Sequence, residues 1–358
     1  KFFKNIKIDR DFSIAESVSK PILPFFSPFE VSENSVIRVT DEDLAQLDQV
    51  SEAYDPNLKS VLEGKNLKVL IYNTHSQEGY YESKTGPDDD RFRSANEDIN
   101  VMGAASVLTK ELEEGYGITV IQDKTIHDNN YNLCYDLSGE TLQRYLNEYG
   151  DFDLIIDFHR DSATDRSTVV ANMNGQNLAR MMFVTAENST NLEANTNLAN
   201  ELADISDGLF PGLVRDKRIL QYSPGGINGF NMSFSDKSVV WEVGTTMNTS
   251  VEAKLTAKYI ARIIAEYLKD KSEKFFISSI LYILLLAKYL TIRPRAIFAS
   301  VALTLILESC REPNTQVMYL SSTDKYFSIV LLYSFEAKFR IISQSLRTSL
   351  YILSPQKE

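Results

Sequence analysis

Three stretches of this chain carry residues suited to hydrolytic chemistry. Leu154-Ile155-Ile156-Asp157-Phe158-His159-Arg160-Asp161-Ser162 runs from apolar and β-branched positions into a cluster of ionisable ones. Leu67-Lys68-Val69-Leu70-Ile71-Tyr72-Asn73-Thr74-His75 repeats the pattern, and Ser238-Val239-Val240-Trp241-Glu242-Val243-Gly244 places a glutamate at the end of a third apolar run. Each reads as a buried strand whose last side chains reach a site. Two imidazoles and a carboxylate suit zinc, which takes such a set with a fourth position left open. Bound zinc lowers the pKa of water to about 7 and polarises a scissile carbonyl. Glu242, flanked by apolar residues, would have its pKa raised toward neutrality and act as general base, passing the water's proton to a leaving amine. Arg160 or His127 could steady the oxyanion.

A lone histidine after a strand is more often structural than a ligand. The chain has only three, His75, His127 and His159, and two of them end strands, which favours function. The third ligand has several candidates. Glu97 opens a helix in Ser94-Ala95-Asn96-Glu97, where it is equally a good capping-box residue. Glu78, in His75-Ser76-Gln77-Glu78, has the H-x-x-E spacing of zinc carboxypeptidases, and His127 would complete a three-histidine site.

These side chains need a scaffold of strands alternating with helices, which implies an α/β sheet. A helix is expected from about Ala95 to Glu114, with Val101, Ala105, Leu108 and Leu112 on one face and Gly115 and Gly117 ending it. Ile118–Ile121 is the next strand and Ser138–Tyr149 the next helix, with a strand around Met182–Val184 and an amphipathic helix from Asn191 to about Gly208. The loop Tyr222–Gly229, containing Pro224-Gly225-Gly226, precedes the Glu242 strand. The last helix has Leu255, Tyr259, Ile263 and Tyr267 in one row behind a Thr249/Glu252 capping box. Upstream, Lys20–Phe29 carries three prolines among aromatics and reads as extended, and Thr40 with Asp43 caps a short helix.

Charge divides the chain. Residues 1–275 hold 28 basic and 44 acidic side chains, and residues 276–358 hold nine and five. An acidic body offers nucleic acid no electrostatic footprint and is repelled by an anionic membrane unless anchored. Cys134 and Cys310 make neither a disulfide framework nor a zinc pair. No signal peptide is visible and the chain starts at Lys1, so it reads as a fragment or processed form. The tail has apolar runs at Phe275–Ala287 and Ala296–Leu307 around Lys288, Arg293 and Arg295, each shorter than a spanning helix needs. It reads as sequence foreign to the domain before it. The organisation expected is a spacer or docking segment over 1–60, a catalytic domain over 61–272 and a hydrophobic, basic tail over 273–358.

Thr74-His75-Ser76 with Glu78, Asn96-Glu97-Asp98-Ile99-Asn100, Asp157-Phe158-His159-Arg160-Asp161, Gly225-Gly226-Ile227-Asn228-Gly229 and Trp241-Glu242-Val243-Gly244 together resemble the stage II sporulation protein P family over roughly residues 60–270. That family is similar to the zinc N-acetylmuramoyl-L-alanine amidases. The resemblance implies a three-layer α/β sandwich around a mixed, mostly parallel sheet. It implies hydrolysis of the amide between N-acetylmuramic acid and the stem peptide of peptidoglycan, with endopeptidase action on cross-links also credited to the family. It puts the zinc ligands on His75, Glu97 and His159 and the catalytic glutamate on Glu242. It further implies an N-terminal membrane anchor, work outside the cytoplasmic membrane during engulfment, and the sporulation proteins D and M of the same stage as partners. The tail after Phe275 is not part of that pattern.

Two other readings stand beside this one. A wall-binding or scaffolding module would keep the fold without turnover. A zinc carboxypeptidase using His75, Glu78 and His159 would need a clamp for a terminal carboxylate, for which Arg160 and Arg144 are the available donors. Because the catalytic module is complete before the tail, a chain ending near Lys274 should keep its fold and its wall-hydrolysing activity. An insoluble or inactive truncation would show that the tail belongs to the core.

Overall fold

The structure, a computed structural model, describes residues 39–80 and 92–289 and the strands Tyr319–Thr323 and Tyr326–Val330, with side chains through residue 272. The proline-rich run 20–29, most of the loop at 83–93 and the second apolar run of the tail lie outside the described residues.

Parallel strands buried on both faces are near-continuous apolar runs, and side chains alternate between the two faces. β1 (Lys68–Tyr72), β2 (Thr119–Gln122), β3 (Leu154–Asp161), β6 (Met181–Ala186), β7 (Val214–Tyr222) and β8 (Ser238–Thr245) form one sheet in the order β2-β1-β3-β8-β6-β7. Every pairing is parallel except β6 with β8. β4 (Val170–Met173) and β5 (Gln176–Ala179) form a separate hairpin.

Helices cover both faces. The larger core takes Val69 and Ile71 of β1, Leu154, Ile156 and Phe158 of β3 and Val239, Trp241 and Val243 of β8. Against these pack Leu58 and Leu62 of α2 (Pro56–Leu62), Ala104, Ala105 and Leu108 of α3 (Val101–Lys110), Leu198 and Leu202 of α5 (Leu192–Leu209) and Tyr259, Ile263 and Ile264 of α6 (Ser250–Tyr289). Residues on the opposite face of the same strands, Leu70, Tyr72 and Ile155, pack against Leu142 of α4 (Cys134–Tyr149). Alternation therefore sends Asp157 and His159 to the α4 side and Phe158 and Arg160 to the other. The result is a three-layer α/β sandwich with a mixed, mostly parallel sheet. The first compact unit is Lys1–Glu273 and the second Lys274–Glu358, which includes the antiparallel pair β9 (Tyr319–Thr323) and β10 (Tyr326–Val330).

The expected caps are in place. Thr40 Oγ1 accepts from the Asp43 amide at the start of α1 (Asp41–Leu47), and Asp43 accepts from the Thr40 amide. Thr249 and Glu252 exchange the same pair of bonds at the start of α6. That helix continues well past Leu268, into the first apolar run of the tail. No helix among the described residues is long and apolar enough to cross a membrane.

The helix expected from Ala95 is broken. Glu97–Ile99 is a single 3₁₀ turn, Asn100 is extended, and α3 starts at Val101. Asn100 causes the break, because its Oδ1 accepts from the Met102 and Gly103 amides while its Nδ2 donates to the Ser94 carbonyl. The turn then folds back so closely that a Cβ on Gly103 would lie 1.8 Å from the Glu97 carbonyl oxygen. Additional to the sequence expectation are α2, the β4–β5 hairpin, β7 and the β9–β10 pair. Asn100→Ala should destabilise the protein by about 1–2 kcal/mol, read from urea unfolding. An unchanged midpoint would show that the cap does not hold this junction.

Candidate functional site

β1 ends at Tyr72, and the next four residues form a tight turn that carries His75 over the end of the sheet. Asp157 of β3 fixes this turn. Its Oδ1 accepts from the Thr74 amide at 2.8 Å and its Oδ2 from the Thr74 hydroxyl at 2.6 Å. Asn73 donates to the Phe158 carbonyl, and Ser76 donates to the Thr125 carbonyl. His159 stands two residues beyond Asp157 on the same face, inside the strand rather than after it. Its Nε2 lies 2.8 Å from Asp157 Oδ1, an ionic approach rather than an aligned hydrogen bond.

Glu78 joins the two histidines. The turn from His75 closes with the Glu78 amide on the His75 carbonyl, and Glu78 Oε2 accepts from the Arg160 amide at 3.0 Å while lying 3.3 Å from His159 Nδ1. His75, Glu78 and His159 are all buried, and one donor atom from each lies within 4.8 Å of the others. The His75 ring stacks on Tyr131 at 4.7 Å and meets His159 and Tyr135 edge-on. His75 Nδ1 is buried without a hydrogen-bond partner. An orphaned imidazole nitrogen is costly unless something supplies its partner. This orphan, in a set of two nitrogens and an oxygen, fits a divalent metal of the zinc kind.

At His75 the electrostatics agree with that fit. Burial pushes His75 down to about 4, so its ring is neutral and able to ligate at neutral pH. Burial would also lower His159, but Asp157 and Glu78 hold it well above the ordinary histidine value. Burial would raise Glu78, but His159, Arg160 and His75 hold it below the ordinary carboxylate range. Glu242 is β8's register partner to His159 and shares its face. Burial, with Glu78 and Asp161 nearby, pushes it up to about 8 against the pull of His159 and Arg215, and its Oε2 has no partner. A buried carboxyl poised near neutrality beside a metal-type donor set is a candidate general acid–base.

The other expected residues lie elsewhere. Glu97 is 47% exposed on the 3₁₀ turn and pairs with Lys124 at 2.7 Å, so the structure does not bring it to His75 and His159. The broken helix is the cause. His127 is buried but committed, with Nδ1 on the Asn73 carbonyl, Nε2 on the Thr141 hydroxyl and its amide on Ser76 Oγ. Arg160 leaves β3 on the face opposite His159, and its guanidinium donates to the carbonyls of Gly79 and Phe92. It braces the segment that carries Glu78. Sequence reading gave no role to Asp157, Tyr131, Tyr135 or Arg215. Asp157 was legible in Asp157-Phe158-His159, because period-two alternation puts it beside His159. Arg215, which reaches Asp161 at 2.5 Å and the Gly244 carbonyl at 3.2 Å, left no local signal.

The glycine-rich loop forms a second feature on this side. Asn228, Gly229, Phe230 and Asn231 have φ of 51°, 60°, 56° and 61°, a full left-handed turn with three non-glycine residues. Such residues cost roughly 1–2 kcal/mol each. The turn is held by Asn231 Nδ2, which donates to the Tyr135 carbonyl and to Ser138 Oγ, both at 2.9 Å, and by Phe230 packing on Tyr135 and Tyr222.

Residues 27–265 match the family described as stage II sporulation protein P. The stage II sporulation protein P of Bacillus subtilis (strain 168) is 31% identical over 216 residues, 58% of this chain, and the chain spans only about half (52%) of that relative's length. Among solved structures, the CwlD amidase of Clostridioides difficile, in complex with the GerS lipoprotein, is similar with a TM-score of 0.36 and 12% identity over 57% of this chain and 98% of that one. The N-acetylmuramyl-L-alanine amidase Ami1 of Mycobacterium smegmatis gives 0.35 and 13% over 58% and 99%.

If Asp157 orients and charges His159, Asp157→Asn should move the His159 titration, followed by NMR of the imidazole protons, to lower pH. Metal affinity should fall by about 10–100-fold, as when a ligand loses its outer partner. An unmoved titration would show that Glu78 alone sets the charge of His159.

Proposed function

Because this chain belongs to the stage II sporulation protein P family, we propose that it hydrolyses peptidoglycan during sporulation, as a zinc-dependent amidase that cuts between N-acetylmuramic acid and the stem peptide. The observation that carries this reading is the buried His75, Glu78 and His159 set with Glu242 facing it from the next strand. Zinc held by those three residues would supply a polarised carbonyl and an acidified water. His75 is neutral and ready to ligate, while His159 must give up its proton. Glu242 takes the proton of the attacking water and delivers it to the leaving amine, a role that its raised pKa suits. Arg160 and Asp157 position the ligands, through the Glu78 segment and the Thr74 turn respectively. The location that goes with this activity is outside the cytoplasmic membrane, facing the wall, and the sporulation proteins D and M are its proposed partners.

The His75, Glu78 and His159 cluster also has the spacing of the carboxypeptidase reading. That reading also needs a donor for a terminal carboxylate. Arg160 is committed to backbone carbonyls, and Arg144 lies over Tyr145 and 3.6 Å from Asp123. The amidase reading needs no such clamp. Products released from purified peptidoglycan separate the two. Free stem peptides with intact glycan support amidase, cut cross-links mean endopeptidase, and single terminal residues mean carboxypeptidase.

Glu78→Gln should sharply lower the zinc bound by the purified chain, and Glu97→Gln should leave it near one equivalent. Glu242→Gln should hold the metal and slow turnover by roughly 10²–10⁴-fold. Metal loss in Glu97→Gln but not in Glu78→Gln would reverse the assignment. Because His159 would have to lose its proton to hold zinc, zinc affinity should rise with pH across neutrality, and its binding heat should depend on the buffer's ionisation enthalpy. Affinity that does not vary with pH would contradict a charged His159.

A further inference from the structure

We propose that the groove between α4 and the left-handed turn at Asn228–Asn231 holds the glycan strand, as a subsite for neutral N-acetylated sugars beside the point of cleavage. The proposal rests on the reading of the site as a peptidoglycan hydrolase and names which half of the substrate lies in the groove. The groove has a volume of about 490 Å³ and borders the site at Tyr135, which lines it and packs edge-on against His75 at 5.5 Å. In this proposal the glycan of a substrate held at His75 and Glu242 runs past Tyr135 into it.

Charge decides which part of the substrate fits. Asp136, Glu140 and Gln143 are spaced i, i+4 and i+7, on one face of α4. Neither Asp136 nor Glu140 has an ion-pair partner among the described residues. Arg144, the groove's one cation, is drawn aside over the Tyr145 ring at 4.6 Å and toward Asp123. A wall with two bare carboxylates repels the carboxylate-bearing stem peptide and accepts hydrogen bonds from sugar hydroxyls. The other wall presents Ile227, the Asn228 amide and Phe234, apolar surface beside an amide donor and acceptor, which suits the apolar face and the acetamido group of an amino sugar.

The backbone is built to bring the turn close against the helix. Gly139 lies in the middle of α4, where glycine is unfavourable, and a Cβ there would come within 3.0 Å of Asn231 Oδ1, a buried oxygen without a partner. The strained turn approaches the helix this closely because residue 139 has no side chain, and Asn228 and Glu140 both line the groove. The Gly225-Gly226-Ile227-Asn228-Gly229 motif acquires a purpose that the metal centre does not give it.

The test uses the full chain carrying Glu242→Gln and two soluble probes, the neutral tetramer of N-acetylglucosamine and the free stem peptide, titrated by calorimetry. The tetramer should bind, and Glu140→Lys and Asn228→Gly should each weaken it by about 5–10-fold, the loss of one or two hydrogen bonds. Asn228→Gly keeps the positive φ available, and Glu140 lies on the solvent side of its helix, so melting temperatures should hold for both. In the active chain the same variants should raise KM for polymeric peptidoglycan and leave turnover of a one-sugar muramoyl peptide unchanged. A tetramer that does not bind, or binds equally to the variants, overturns the proposal, as does stem-peptide binding that the variants weaken. If the active chain cuts neither substrate, the hydrolase reading fails, while the calorimetry still decides what the groove binds.

Discussion

The buried carboxylate of Asp157 holds the centre of this molecule together. It accepts the amide and hydroxyl of Thr74 and lies against His159, so one side chain fixes the turn that carries His75 and sets the charge of the second histidine. A carboxyl group so deep in the sheet is tolerable only because these partners compensate its lost hydration. The register of β3 with β8 then brings Glu242 opposite His159. Three strands thereby deliver their polar side chains to one face at one end of the sheet, where open α/β sheets place their ligands.

The same arrangement divides the labour among ionisable groups. His75 is neutral because it is buried against aromatic rings, His159 is charged because two carboxylates face it, and Glu242 is pushed toward the neutral acid because its oxygen is buried without a donor. Environments that push neighbouring groups apart in this way are what acid–base chemistry at neutral pH requires. On the opposite face of β3 the Arg160 guanidinium holds the carbonyls of Gly79 and Phe92, and its own amide binds Glu78. Residues adjacent in sequence therefore serve opposite sides of the sheet, His159 toward the site and Arg160 as its brace.

Much of this was legible in the sequence. The strands that bear His75, His159 and Glu242 are apolar runs, and burial on both faces leaves that composition no other use. The Thr40 and Thr249 capping boxes were readable because they depend on neighbours three residues apart. Glu97 was a candidate ligand through the family resemblance, while its place at a helix start offered a capping-box role equally well. Whether Asn100 caps a new helix or continues an old one depends on the packing of Gly103 against Glu97, which local spacing does not carry. β7 was hidden because Val214–Tyr222 is an edge strand with Arg215, Asp216, Lys217 and Arg218 in its first half, and charges at an edge mask the alternation that reveals a strand. The β4–β5 hairpin did leave a signal, Asn174-Gly175, with both residues at positive φ as such a turn demands.

Anomalous diffraction at the zinc edge, from crystals of the unaltered chain grown with zinc, tests the central claim most directly. One strong peak is expected, bounded by His75, Glu78 and His159, with imidazole nitrogens about 2.0–2.1 Å away and Glu97 still paired with Lys124. A peak beside Glu97, or none near the two histidines, would contradict that claim.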